Sequence, residues 1–268
     1  MSERLMRLLS RSVVAAFVAM NIAVLPAAAD TKAPAKPAQK PAAPAAPVKE
    51  AADKPAIKVG RDEGKGFLAR HEGFLKDLKA MNGRVDLLLV GDSITDGWRR
   101  GGKKVFDAAY GDKAPLNIGI GGDRTQHVIW RLQNGEVEGI KPKVAMLMIG
   151  TNNLGANSDD EIVSGITKCV TTLREKLPTT KVLLLGVFPR SAKPNDAART
   201  RIKNINSQIA KLDDGGKTVK YLDISQKFLD DEGNLPKEIM PDALHPNEKG
   251  YEIWAEAVKP TLEEMMKE

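Results

Sequence analysis

The stretch Val85-Asp86-Leu87-Leu88-Leu89-Val90-Gly91-Asp92-Ser93-Ile94-Thr95-Asp96-Gly97 sets the frame for the rest of the chain. From Val85 to Val90 the residues are apolar on nearly consecutive positions instead of alternating, the pattern of a strand covered on both faces. Gly91 and Asp92 interrupt that run, and Ser93 begins the next element. A sharp strand-to-helix turn here lifts the serine hydroxyl clear of the sheet, and a glycine at 91 relieves the crowding such a turn creates. Taken alone, Gly-Asp-Ser is a weak motif, and a serine that merely caps a helix is the more ordinary reading of it.

Working outward, four more apolar runs recur: Leu116 to Ile120, Val144 to Ile149, Val182 to Val187 and Val219 to Ile224. Amphipathic stretches separate them, and the periodicity predicts helices over about Arg61 to Met81, Arg124 to Glu138, Asp159 to Leu177, Asp196 to Leu212 and Asn247 to Lys267. Strands alternating with helices imply right-handed crossovers, so the expectation is one three-layer α/β/α domain around a parallel sheet, over residues 59–268. Ligands of such sheets bind beyond the carboxyl ends of the strands. The loops of interest therefore begin at Gly91, Gly119, Gly150 and Phe188.

The chain ahead of this domain is of another kind. Arg4, Arg7 and Arg11 precede an apolar run from Val13 to Leu25, and Ala27-Ala28-Ala29 supplies small residues before Asp30. Residues 1–29 read as a secretory signal peptide cleaved near Ala29; a retained anchor is the alternative, although the run is short of the roughly 20 residues that span a bilayer. Residues 30–58 are mostly Ala, Pro and Lys, too poor in bulky side chains to offset the entropy of ordering, and read as a disordered linker. Nine Lys and Arg against four Asp and Glu in residues 1–58 give +5 of the whole chain's net +6. The domain itself has no basic excess, so no nucleic-acid partner is implied. The basic linker is instead suited to contact with an anionic cell envelope. The single cysteine, Cys169, excludes an intramolecular disulfide and falls on the apolar face of a predicted helix, as a core residue would.

A serine hydroxyl is a poor nucleophile until a base accepts its proton, and the chain has three histidines. His71 lies on the first predicted helix, remote from the strand ends, as a surface or half-buried residue. His127 follows the second strand and is a second candidate, without an evident orienting carboxylate beside it. His245 stands three residues after Asp242 in Pro241-Asp242-Ala243-Leu244-His245-Pro246, a spacing that lets the carboxylate fold onto Nδ1 of the imidazole, fix its tautomer and stabilise the imidazolium. Pro246 suits the first turn of the closing helix. Asp242 is also readable as a helix cap. Acyl transfer further needs donors for an oxyanion, which backbone N–H groups at Gly121-Gly122, the Asn152 side chain and the N–H of Ser93 offer.

Together, Gly91-Asp92-Ser93, Gly119-Ile120-Gly121-Gly122-Asp123, Gly150-Thr151-Asn152-Asn153 and Asp242-Ala243-Leu244-His245-Pro246 resemble, in order, the four signature blocks of the SGNH, or GDSL, hydrolases. The stretch Asn117 to Glu136 is similar to the catalytic subunits of intracellular-type platelet-activating-factor acetylhydrolase. The resemblance implies a flavodoxin-like five-stranded sheet of order 2-1-3-4-5. It also implies Ser93 as nucleophile, Gly122 and Asn152 as oxyanion donors, Asp242 and His245 as the remaining triad members, and neither metal nor organic cofactor. The signal peptide and linker are foreign to the intracellular subunits, which leaves the lipid substrate and protein partners of those subunits unsupported for this chain.

Ile94 and Leu244, apolar neighbours of nucleophile and base, are expected to wall a small acyl pocket suited to acetyl esters. Trp98 and Trp130 read as packing against the sheet in preference to flanking the site. The reading is thus an exported serine esterase acting on O-acetylated carbohydrate or a small acyl ester. A phospholipid-type acetylhydrolase is the enzymatic alternative, and a non-catalytic envelope ligand-binding protein the alternative of another class.

Overall fold

The computed structural model describes residues 50–60 and 62–267. The signal-peptide reading, the linker up to residue 49 and the helix start at Arg61 lie outside the described residues.

Among the described residues, five parallel strands form one sheet in the order β2-β1-β3-β4-β5. They are β1 (Leu87–Gly91), β2 (Pro115–Asn117), β3 (Val144–Met148), β4 (Lys181–Leu185) and β5 (Val219–Leu222). The helices between and around them are α1 (Lys65–Ala80), α2 (Ser93–Asp96), α3 (Lys103–Tyr110), α4 (Thr125–Gln133), α5 (Asp159–Lys176), α6 (Ala197–Ile209) and α7 (Glu248–Lys267). The periodicity of the sequence does not predict α3, a two-turn helix too short for its pattern to stand out from the residues around it.

Alternate strand residues serve two cores. Leu88 and Val90, Ala145 and Leu147, and Val182 and Leu184 pack with α1, α4, α5 and α6. Leu87 and Leu89, Met146 and Met148, and Leu183 and Leu185 pack with α3 and α7. This two-sided burial is why the central strands β1 and β3 carry no polar residue at any position. Each such side chain withdrawn from water contributes roughly 1.5–3 kcal/mol. Cys169 is fully buried in the first core, and burial pushes its thiol well above the usual range. Trp98 is likewise enclosed, in the second core, against Tyr110, Tyr251 and Trp254. Trp130 packs beside Phe67 and His71.

The strand order reverses between β1 and β3, with β2 on one side and β4 on the other. Gly91 of β1 stands in register with Met148 of β3, so the loops that carry Ser93 and Asn152 leave the sheet from adjacent strand ends. This is the crevice in which open parallel sheets place their ligands.

The end of the expected linker needs correction, because residues 50–58 are held against the domain. Thr125 Oγ1 donates to the Ala52 carbonyl at 2.7 Å, the Ala56 N–H donates to the Gln126 carbonyl at 3.1 Å, and Gln126 Nε2 donates to Glu50 Oε2 at 2.9 Å. Ala52 is buried against Gly165. The polar groups at the start of α4 need partners once buried, and the segment supplies them. Its own composition shows nothing of this.

Candidate active site

Ser93 sits at the start of α2, immediately beyond the Gly91-Asp92 turn. Asp92 caps the helix by accepting from the Ile94 N–H at 3.0 Å. A Cβ on Gly91 would lie 2.1 Å from Thr95 Oγ1 and 2.5 Å from the Met148 carbonyl oxygen, so only glycine permits the turn. From the opposite side, the Tyr251 hydroxyl of α7 donates to the Ile94 carbonyl at 2.8 Å and ties the closing helix to the same turn.

His245 reaches Ser93 from the loop before α7, with Nε2 2.9 Å from Ser93 Oγ. Its Nδ1 is 2.6 Å from Asp242 Oδ2. A carboxylate oxygen only accepts, so Nδ1 carries the proton and Nε2 is free to accept from the serine hydroxyl. The other carboxylate oxygen, Oδ1, accepts from the backbone N–H of His245 at 2.7 Å and of Leu244 at 3.1 Å. That wrap requires Ala243 to take a left-handed conformation, φ 56°, which an alanine adopts at a cost of about 1–2 kcal/mol. Burial works to raise the Asp242 carboxyl, but the hydrogen bonds from His245 and Leu244 and the charge of His245 outweigh it, holding it below the ordinary carboxylate range. The same hydrogen bonds thus favour the ionised form of the carboxyl.

The two other loops converge here as well. Gly121 lies against Ser93, whose Cβ is 3.8 Å from the position a Gly121 side chain would take. Gly122 is exposed and has φ 76°, a conformation that favours glycine. Asn152 Nδ2 donates to the Asp123 carbonyl at 2.9 Å, which fixes the amide and leaves its second N–H without a partner among the described residues. Ser93, His245, Asp242, Gly122 and Asn152, distant in sequence, thus come from loops gathered at one rim.

Several expectations change. Ile94 is 1% exposed and turned into the core beneath α2, so it does not wall an acyl pocket; the residue after Ser93 must point inward for the helix to pack. Leu244 is half-buried at the rim. His71 is buried, not at the surface, and its Nδ1 meets Glu136 Oε1 at 2.8 Å. His127 accepts from the Arg124 N–H through Nδ1 at 3.0 Å, closing the first turn of α4. Burial, followed by the charges of Lys58, Arg124 and Arg131, pushes its pKa down to about 3.

The residue that sequence reasoning passed over is Asp123. Its fully buried carboxylate takes Arg131 Nε on Oδ2 at 2.9 Å and Lys58 Nζ on Oδ1 at 3.0 Å, and its carbonyl takes Asn152. Arg131, also fully buried, continues to Glu136. Asp123 was visible as the last residue of the Gly-Ile-Gly-Gly-Asp block, but its partners lie on other elements. Asp92 is fully buried, and its Oδ2 has no hydrogen-bond partner among the described residues. Burial, aided by the charge of Asp123, outweighs the Ile94 hydrogen bond and pushes it up to about 7. Among the described residues no group of three or more His, Cys, Asp or Glu side chains is placed to hold a metal ion.

With a serine at a strand-to-helix turn facing a histidine at the switch point of a parallel sheet, the chain is a carboxylic ester hydrolase of three-layer α/β/α architecture. The family model of GDSL-like lipases and acylhydrolases matches residues 89–253, and the chain belongs to that family. It is 34% identical over 200 residues to the platelet-activating factor acetylhydrolase IB subunit alpha2 of Rattus norvegicus, covering 75% of this chain and 83% of that one. A solved structure from Streptococcus pneumonia superposes with a TM-score of 0.61 at 22% identity, over 73% of this chain and 94% of that one. A catalytic mutant of an acetylxylan esterase from Geobacillus stearothermophilus superposes with a TM-score of 0.52 at 19% identity, over 67% and 93% of the two chains. At those identities the two structures establish the fold.

Proposed function

We propose that the protein is an exported serine esterase that hydrolyses short-chain, chiefly acetyl, esters through Ser93, His245 and Asp242. The observation that carries this reading is the continuous relay from Ser93 Oγ to His245 Nε2 at 2.9 Å and from Nδ1 to Asp242 Oδ2 at 2.6 Å. Ser93 Oγ attacks the ester carbonyl while His245 Nε2 takes its proton, and Asp242 stabilises the imidazolium. The carbonyl oxygen, now negative, accepts from the N–H groups of Ser93 and Gly122 and from the second N–H of Asn152. His245 then passes its proton to the departing alkoxide, leaving acyl-Ser93. Water, deprotonated by the same nitrogen, releases the carboxylic acid and restores the serine.

The acetyl preference is supported by the 34% identical relative, which is named an acetylhydrolase. Export is supported by the Arg-rich start, the apolar run to Leu25 and Ala27-Ala28-Ala29. An exported enzyme meets O-acetylated carbohydrate or small acyl esters outside the cytoplasm, and these are the substrates we assign. The same relative's name favours a phospholipid-type acetylhydrolase as the second reading.

A fluorophosphonate probe tests the nucleophile. The wild-type protein should be labelled and should hydrolyse p-nitrophenyl acetate; Ser93→Ala should do neither while keeping its circular dichroism spectrum. Labelling that persists in Ser93→Ala refutes the assignment. Turnover of acetylated sugars compared with acetylated glycerolipids separates the two substrate readings.

A further inference from the structure

We infer that Lys58, from the segment ahead of the α/β body, is a positioning residue for the oxyanion hole, acting through the Gly121–Gly122 peptide. Its Nζ donates to the Gly121 carbonyl at 2.6 Å and to Asp123 Oδ1 at 3.0 Å, so it grips the loop on both sides of Gly122. The same ammonium lies 3.9 Å from the position a Gly122 Cβ would occupy.

The carbonyl of Gly121 and the N–H of Gly122 belong to one planar, trans peptide group and point in opposite directions. Holding the carbonyl on Lys58 therefore turns the Gly122 N–H to the far face of the loop. A charge-assisted bond to a carbonyl oxygen also draws electron density from the amide and strengthens its N–H as a donor. Lys58 thus both aims the hydrogen that an oxyanion would accept and sharpens it. The inference rests on the reading of Gly122 as an oxyanion donor.

The rest of the site is arranged to keep that grip. Gly122 favours an unusual backbone conformation and is exposed, so without an anchor the loop has freedom to rotate its peptides. Arg131 and Asn152 hold Asp123 from the interior, which fixes one end; Lys58 supplies the hold on Gly121. Lys58 itself is delivered by the hydrogen bonds of Glu50, Ala52 and Ala56 to the start of α4. Its ammonium rests 5.6 Å from the centre of the Phe67 ring. Three-quarters of its side chain is withdrawn from solvent, with 26% exposed, which distinguishes this contact from a surface ion pair of little worth.

The test measures kcat and KM for p-nitrophenyl acetate in Lys58→Met, Lys58→Arg and Ser93→Ala. Removing a whole oxyanion donor costs about 100- to 1,000-fold in kcat. Misaiming one should cost less, so Lys58→Met is expected to lose about 10- to 100-fold in kcat with KM within about twofold, and Lys58→Arg to recover most of the loss. A kcat within twofold of wild type in Lys58→Met, or an effect confined to KM, overturns the inference. If Ser93→Ala remains active, the reading beneath it fails instead, so the two failures are distinguishable. Lys58→Cys separates positioning from folding, because Cys169 is fully buried and the new thiol is the reactive one. Aminoethylation of that thiol rebuilds a lysine-like ammonium on the already folded protein. Recovery of kcat supports the inference, and an unchanged kcat after complete aminoethylation overturns it.

Discussion

Asp242→Asn isolates what the carboxylate does for His245, because the loop around it should survive the change. An asparagine keeps a carbonyl oxygen able to accept the backbone N–H groups of His245 and Leu244, now bonded at 2.7 and 3.1 Å. The atom that replaces Oδ2, 2.6 Å from Nδ1, is an amide nitrogen that only donates. The imidazole must then present its lone pair at Nδ1 and carry its proton on Nε2. Facing it at 2.9 Å, the Ser93 hydroxyl loses its base. In a serine protease whose aspartate is buried, this wrong tautomer costs about 10,000-fold in kcat. The Asp242 side chain is 56% exposed, so water screens part of the charge stabilisation and eases the tautomer exchange. The expected loss is about 100- to 10,000-fold, or roughly 3–6 kcal/mol in the barrier at about 1.4 kcal/mol per decade. His245→Ala removes the base itself and should approach the loss of about a million-fold seen when a triad serine or histidine is deleted. The assay is kcat for p-nitrophenyl acetate on both variants, with circular dichroism as the check on folding. If Asp242→Asn proves as damaging as His245→Ala, or its kcat equals that of wild type, the roles given to these two residues are wrong.

Two further variants probe the neighbourhood of the nucleophile. Asn152→Ala deletes the proposed oxyanion donor and the tie to the Asp123 carbonyl, and should lower kcat about 100- to 1,000-fold with a small change in melting temperature; an unaltered kcat would remove Asn152 from the site. Asp92→Asn tests the buried acid: its carboxyl, raised to about 7 when folded, holds a proton that the unfolded chain releases near 3.8. Stability tied to the protonated form is complete below the unfolded value and is lost as pH rises through about 7. The neutral asparagine avoids that loss. Its stability advantage over wild type should be small at pH 4 and grow to as much as about 4 kcal/mol at pH 8, at about 1.4 kcal/mol per pH unit. A difference that does not change with pH, measured by denaturant unfolding, would refute the burial argument.

The alternating apolar runs and amphipathic stretches contained the layered architecture, because a strand buried on both faces must be apolar at every position. The order of the strands came from the resemblance of the four motif blocks, and the sheet has that order. Asp242 and His245 were legible for a local reason: three residues separate them, and a short loop can close on itself. Gly91 and Gly122 were legible because their turns admit little else. Ile94 was misleading, since adjacency in sequence to a nucleophile says nothing about which way the next side chain points on a helix.

What only the tertiary structure decided is the support of the site from a distance. Asp123, Arg131, Asn152 and Lys58 belong to a loop, a helix, a different strand end and a segment whose composition reads as linker. A buried carboxylate needs cations and donors wherever the fold can bring them, and sequence order does not encode those meetings. The chain alone thus determined its layers and marked its serine, aspartate and histidine as a candidate site. The folded packing determined which charges hold the loop beside them, because a hydrogen bond depends on separation in space and direction, neither of which exists until distant segments have met.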